Sequence, residues 1–391
     1  MSASERHEIV ALDGLRAIAV LLVVVYHGVT ELAPNGFAGT GGNVLLSFGP
    51  YGVTLFFVIS GYVIWRPIAV AISERRTPPT PGAFAARRLV RILPALWLAI
   101  VIQSWWIEES VLRSAADWWL NLTLAQSLRH GWELSGIGVA WTLTIEAMFY
   151  VLVAAVLLAL RNPNIARAAP RLEPILIVGL LATGWLVRSG FVLILDTPTS
   201  ALGTWFGASA VPLTLAWWCD PFALGMAIAT LHARAGGVLV SRHRRWVGWI
   251  VTGSVGGLVA LDATGWARTV SEPVTQLGLL AAVPIRSLVG AGIVFALVER
   301  RSDAPRVVRA RSLVWIGTIS YGVYLWHLAV LRWVRDLDGV PDSALVRFAI
   351  ALVGSVVLGA TSWYALERPL LGAVRRAQRR TGALTPTSDS G

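Results

Sequence analysis

Leu12-Asp13-Gly14-Leu15-Arg16-Ala17-Ile18-Ala19-Val20-Leu21-Leu22-Val23-Val24-Val25-Tyr26-His27 is an apolar run broken near its start by an arginine and closed by a histidine. Extended to residue 31 it makes a segment of about 20 residues, long enough as a helix to cross the roughly 30 Å of hydrocarbon in a bilayer. Arg16 and His27 lie eleven residues apart. At about 100° and 1.5 Å per residue they fall within roughly 20° of one helical face, about 16 Å apart along the axis. That face presents a cation near one end and an imidazole deeper in. Ionisable groups inside a membrane cost several kcal/mol unless paired or wet, so each points either to a site or to a structural partner. The structural alternative is a snorkelling arginine and a hydrogen-bonded core histidine. The interruption at Arg16 and the lack of a small-residue cleavage pattern argue against a removable signal peptide.

Working outward, the chain repeats this kind of segment almost end to end. Of its 391 residues 55% are hydrophobic and only 14% charged, and the mean hydropathy is +0.65. Soluble domains carry about 25% charged residues, so this chain lacks the means to cover a water-facing surface. The predicted fold class is an all-α polytopic membrane protein with about ten transmembrane helices. The spans are expected near 12–31, 50–71, 89–107, 141–160, 174–195, 212–231, 246–264, 275–298, 313–333 and 344–364. The seventh is rich in glycine and the eighth carries Pro284 and Arg286 in its middle.

The basic residues set the expected topology. All 33 are arginine. With a cytoplasmic N-terminus, the inside segments hold 23 of them and the outside segments only Arg113, Arg129, Arg268 and Arg335. This is the positive-inside pattern, with both termini in the cytoplasm. The net charge of +11 is therefore a topology signal, and arginines dealt out loop by loop exclude a nucleic-acid-binding face. Residues 1–370 read as one membrane domain. The tail 371–391, opening with Arg375, Arg376, Arg379 and Arg380, reads as a basic cytoplasmic anchor followed by disorder. Between spans, Asp117 to Ser127 is expected to form a helix along the interface. The single cysteine, Cys219, allows no intramolecular disulfide and no Cys-based metal site, and no metal is expected.

Further ionisable residues fall at span ends or inside spans. Arg88 and Arg91, three apart before Pro94, share a face of the third helix. Arginine forks suit phosphate oxygens, although an ordinary positive-inside flank would look the same. Glu146, in Trp141-Thr142-Leu143-Thr144-Ile145-Glu146, is either a partner for an Arg or His or an orienting, proton-handling group. His327, in Tyr321-Gly322-Val323-Tyr324-Leu325-Trp326-His327, lies among aromatics and reads first as a packing residue. Glu367-Arg368-Pro369 reads as architectural. Asp220-Pro221 is either a charge in a cavity or a helix-start feature.

Taken jointly and in order, these motifs resemble the acyltransferase 3 family of membrane proteins. The resemblance rests on Leu-Asp-Gly-Leu-Arg with His27 eleven residues after Arg16, and on Gly52-Val53-Thr54-Leu55-Phe56-Phe57-Val58-Ile59-Ser60-Gly61. It rests equally on the Arg88–Arg91 pair, the stretch ending in Glu146 and the stretch ending in His327, and it runs from about residue 9 to 370. It implies ten or so helices and O-acyl transfer, usually of acetyl from acetyl-CoA as co-substrate. The implied acceptors are hydroxyls of surface carbohydrates or of secondary metabolites. The extracytoplasmic hydrolase-like module fused to some members is not expected here. Carried over by residue, the resemblance implicates Arg16, His27, Arg88, Arg91 and Glu146, with Ser60 and Gly61 in a motif of less defined role.

The chemistry fits these residue types. Arg88, Arg91 and Arg16 at a cytoplasmic mouth suit the phosphates of acyl-CoA, and about 16 Å of helix to His27 suits the reach of its pantetheine arm. An imidazole titrating near neutrality suits a general base for the attacking hydroxyl. Glu146 is expected to orient His27, and Ser60 or nearby backbone N–H groups to support the oxyanion. An acyl-histidine intermediate is an open variant. The competing class is a transporter or flippase whose Arg, Glu and His form a buried relay. No internal repeat is evident, which counts against one built from inverted halves. Arginine without lysine points to a GC-rich bacterial genome and a cell membrane location. Neither acceptor nor oligomeric state is legible.

Overall fold

In lipid the backbone must satisfy its own hydrogen bonds, so apolar stretches of this length become helices. The computed structural model describes residues 3–33, 41–107, 112–129, 132, 134–195, 211–236, 253, 276–300 and 305–380. Its elements are α1 (Ala3–Leu32), α2 (Gly41–Ser73), α3 (Pro81–Trp106), α4 (Ala115–Leu122), α5 (Trp141–Ala159) and α6 (Pro163–Leu195). There follow α7 (Cys219–Arg234), α8 (Gln276–Arg300), α9 (Arg311–Thr318), α10 (Ser320–Arg335), α11 (Ala344–Ser362) and α12 (Arg368–Arg380). Among the described residues there is no strand. Among the described residues six helices are long and apolar enough to cross a membrane, and a seventh crossing arises if the bent pair α9–α10 counts as one.

Several boundaries have visible causes. Thr80 caps α3, its hydroxyl oxygen accepting from the Ala83 N–H at 3.3 Å, and Pro81 fills the first turn where no N–H is needed. Ser114 and Asp117 form a reciprocal capping box at the start of α4, which begins two residues before the interfacial helix expected over 117–127 and ends at Leu122.

Two predicted spans differ from their expectation. The sixth, 212–231, is a short 3-10 turn at Val211–Leu213 followed by the 16-residue α7. Pro221 lacks an N–H and sits in the first turn of α7, where that donor is spare. The ninth, 313–333, is broken at Ile319 into α9 and α10, bent by 76°. Hydropathy runs across the break without a mark, whereas packing does not: a side chain at Gly317 would collide with the Asp13 carbonyl of α1. The seventh predicted span, 246–264, lies outside the described residues apart from Gly253.

α2 is the central helix, packed on α1 along one side and α7 along another, while α10 packs on α11. Small residues let the backbones approach. Gly61 of α2 meets Phe222 of α7 while Gly225 of α7 meets Val58 and Tyr62 of α2, and Gly322 of α10 meets Gly359 of α11. Beyond residue 370 the chain continues as α12, and Gln378 joins it to α3 by accepting from Arg87 at 2.8 Å and donating to the Ala83 carbonyl at 3.0 Å. Residues 381–391 lie outside the described part.

Candidate active site

The first turns of α3 carry Arg87, Arg88 and Arg91 toward the face of α1 that bears Arg16. Arg16, Arg88 and Arg91 line one chamber. Arg88 lies over the rings of Phe84 (5.7 Å) and Tyr150 (5.5 Å), a cation–π cradle. Arg16 donates to Asp13 at 2.8 Å. Among the described residues neither Arg88 nor Arg91 bonds a carboxylate, so both guanidinium forks remain available to a ligand. The space they share has two lobes. One opens between α1, α3 and α12 and is lined by Asp13, Arg87, Leu371 and Arg375. The other runs inward past Phe56, Ser60, Glu146, Tyr150, Tyr321 and Tyr324.

Glu146 stands in this arginine chamber and not beside His27. Its Oε1 accepts from the Tyr150 hydroxyl at 2.6 Å and from the Ser60 hydroxyl at 3.2 Å. The expected Glu146–His27 pairing is therefore corrected: the hydrogen bonds of Glu146 go to α2 and to its own helix one turn on. The Ser60 hydroxyl spends its only proton on Glu146, which leaves it an acceptor and removes it as a ready oxyanion donor. Gly61 does not belong to the chamber's chemistry either. A Cβ there would fall on the Phe222 carbonyl, so its role is the α2–α7 contact.

His27 lines a second chamber with Tyr26, Glu31, Trp141, Trp218, Arg286 and Arg332, among others. This chamber has a cavity volume of about 440 Å³. Its histidine is held by another histidine. His327, fully buried on α10, has its Nδ1 2.7 Å from the Tyr324 carbonyl, and a carbonyl only accepts, so Nδ1 carries the proton. In the neutral ring its Nε2 is then an acceptor, and it lies 3.2 Å from His27 Nδ1. His27 Nδ1 must donate, and it shares that proton with the Val23 carbonyl at 3.0 Å. The lone pair of neutral His27 is thereby placed on Nε2, which has no hydrogen-bond partner among the described residues. His327 was expected to pack; it also sets the tautomer of His27.

Val53 and Tyr324 line both chambers. The Tyr324 hydroxyl lies 2.7 Å from Thr142 Oγ1 and donates to the Val139 carbonyl at 2.9 Å, so the ring is fixed between them. The arginines and His27 thus belong to two spaces that adjoin at Val53 and Tyr324. Tyr150, Tyr324, Arg375, Arg286 and Arg332 escaped the sequence reading as site residues. Tyr150 carried a local signal, one helical turn after Glu146, and Arg286 carried one as a charge in the middle of an apolar span.

Asp220, left open as a cavity charge or a helix-start feature, is neither of these alone. Arg188, 0% exposed on α6, donates to both its carboxylate oxygens at 2.6 and 2.9 Å and to the Trp217 carbonyl at 2.6 Å. Neither residue lines the chambers described above.

Residues 9–364 match the acyltransferase domain that defines the acyltransferase 3 family. The chain belongs to that family. The matched acyltransferase domain includes the residues that line both chambers except Leu371 and Arg375. Among curated proteins it is similar to the peptidoglycan O-acetyltransferase OatA of Listeria monocytogenes, 24% identical over 93% of this chain and 56% of the relative. It is similar also to the exopolysaccharide production protein ExoZ of Rhizobium meliloti, 27% identical over 86% of this chain and 94% of the relative. A third relative is the O-acetyltransferase OatA of Staphylococcus aureus, 24% identical over 92% of this chain and 56% of the relative. This acyltransferase 3 chain spans about half the length of the two OatA proteins. No solved structure matches it.

Proposed function

We propose that this protein moves an acyl group, most readily acetyl, from cytoplasmic acyl-CoA to a hydroxyl of a carbohydrate or related acceptor, with His27 as general base. The observation that carries this reading is the junction at Val53 and Tyr324. On one side of it stand unpaired arginines suited to a polyanionic donor, and on the other a histidine with a free Nε2. The relatives' names, peptidoglycan O-acetyltransferase and exopolysaccharide production protein, favour a cell-envelope polysaccharide as acceptor.

In this account the nucleotide phosphates of acyl-CoA rest on Arg88, Arg91 and Arg16, and the thin pantetheine arm lies along the inner lobe toward Tyr324. The acceptor hydroxyl enters from the His27 chamber, whose Trp141 and Trp218 offer flat faces to a sugar ring. The hydroxyl oxygen attacks the thioester carbonyl carbon while His27 Nε2 takes its proton. The C–S bond breaks, and the CoA thiolate leaves with that proton returned from the imidazolium. His327 supports the imidazolium through the same hydrogen bond that set the tautomer. Glu146 holds Ser60 and Tyr150 and offsets the crowding of three arginines.

The membrane topology belongs to the same proposal. The six apolar helices and the bent α9–α10 pair supply up to seven crossings among the described residues, and the proposed count stays at the ten or so that the sequence suggests. An even number returns the chain to its starting side, and the arginine distribution puts that side in the cytoplasm of a bacterial cell, with the protein multi-pass in its membrane. The arginine chamber then faces the acyl-CoA pool. The domain reading follows as residues 1–370 with α12 appended.

Two results are expected. Acetyl-CoA binding to purified protein weakens about tenfold or more in Arg88→Gln and in Arg91→Gln, each removing a charge-assisted hydrogen bond. Arg375→Ala weakens it less, by roughly three- to tenfold, because its side chain stands at the mouth. Equal affinity across all three variants and wild type would remove the donor site from this chamber. Val53→Trp, which fills the junction, is expected to cut acyl transfer about 10²-fold while acetyl-CoA affinity stays within about twofold. Normal turnover by that variant would show that donor and acceptor meet elsewhere.

A further inference from the structure

We propose that the acceptor carries an anionic group, a carboxylate or a phosphate, which Arg286 binds in the His27 chamber. This rests on the acyl-transfer reading above and names the chemistry of its second substrate. Arg286 lies near the middle of α8, is 9% exposed, and lines the chamber that contains His27. Its contact is Tyr51, whose ring centre is 5.5 Å from the guanidinium carbon. Among the described residues no carboxylate bonds it.

The chamber's other cation is provided for. Among the described lining residues Glu31 is the one carboxylate. One of its oxygens accepts from Arg332 at 3.4 Å and the other from Arg335 at 2.6 Å. Glu31 is thus committed, and the positive charge of Arg286 is left over. The contrast with Arg188 decides how to read this. Arg188 is equally deep, has no place in the chambers, and is neutralised by both oxygens of Asp220. Where a deep arginine only builds structure, this fold supplies the counter-charge. Among the described residues Arg286 has no such counter-charge, only the ring and hydroxyl of Tyr51, and a buried cation without a counter-charge is costly enough to favour an anion brought by a ligand. A guanidinium fork fits the two oxygens of a carboxylate or phosphate. Such an anion is found either as the acid of a uronic-type sugar or as the phosphate joining a sugar to its lipid carrier.

The test uses full-length protein in detergent, as wild type, Arg286→Gln and Arg286→Lys. Its probes are methyl β-D-glucuronide, the methyl ester of that glucuronide, and glucose linked to polyprenyl phosphate. Binding is followed by titration, and CoA release is followed with acetyl-CoA present. Wild type is expected to bind at least one anionic probe about tenfold or more tighter than the neutral ester, and the probe preferred names the source of the anion. Arg286→Gln removes the preference without changing acetyl-CoA affinity, and Arg286→Lys retains part of it. The proposal is overturned if no anionic probe outbinds the ester, or if Arg286→Gln keeps the preference. It is equally overturned if Arg286→Gln lowers turnover alike for every acceptor with binding unchanged, which would make Arg286 an electrostatic aid to the reaction. Preferential binding without CoA release from wild type would sink the transfer reading and leave the anion site standing.

Discussion

His27→Ala lowers acyl transfer by about 10²- to 10⁴-fold while leaving acetyl-CoA affinity unchanged. The magnitude is that of a positioned general base. The selectivity follows from the layout: His27 lines the acceptor chamber, whereas the donor's phosphates are assigned to Arg88 and Arg91 on the other side of the Val53–Tyr324 junction. His327→Gln is the informative companion. Its amide has a donor and an acceptor, but both stand on the terminal carbon, one bond farther from the backbone than the ring's Nδ1, so accepting from His27 loses the bond to the Tyr324 carbonyl. The proton of His27 then has less reason to stay on Nδ1, and a fraction of molecules carries it on Nε2, where it blocks the base. A fall in kcat of at least about tenfold, with the KM for acetyl-CoA unmoved, is expected. Initial rates of CoA release across a donor titration check both variants. Full turnover by His27→Ala would remove the mechanism, and an unaffected His327→Gln would remove the tautomer argument alone.

Asp220→Ala is expected to have the largest effect on stability, about 3–5 kcal/mol, because it strands the Arg188 charge inside the helix bundle. The pair is fully buried, its bonds are bidentate, and the third partner of Arg188 is a backbone carbonyl only one turn from Asp220. Removing both charges together, as Arg188→Met with Asp220→Leu, recovers most of the loss, since an apolar pair of similar volume avoids the desolvation of two ions. Thermal unfolding in detergent of the two single variants and the double variant closes this cycle. Donor affinity of whatever folds should match wild type, because neither residue lines the arginine chamber.

How much of this was legible beforehand varies with the kind of question. Depth along a helix is a one-dimensional property, and there the sequence serves well. Arg16 and His27 do share α1 with one chamber at each, and Arg88 with Arg91 do enter beside Arg16. Which helices face one another is a different matter. Glu146 has the right depth to serve His27, yet its bonds go to Ser60 and Tyr150, while the residue that holds His27 lies 300 positions away on α10. Periodicity within α1, α5 or α10 contains nothing about their mutual rotation. The same gap hid the Arg188–Asp220 pair, each member of which reads alone as a stray charge. It also hid Arg375, which reads as part of a basic tail until α12 folds back on α3. The break between α9 and α10 escaped for a third reason. Hydropathy measures how apolar a stretch is and is indifferent to a bend imposed by close backbone packing at Gly317.

In the proposed reaction a donor site on the cytoplasmic side meets an acceptor site on the other side at Val53 and Tyr324. Sealed inside-out membrane vesicles, loaded with a hydroxylated acceptor and given acetyl-labelled acetyl-CoA outside, test that join most directly. The predicted result is label on the lumenal acceptor with free CoA outside, abolished by His27→Ala and by Val53→Trp. CoA release that proceeds only when the acceptor shares the compartment of the donor would contradict it.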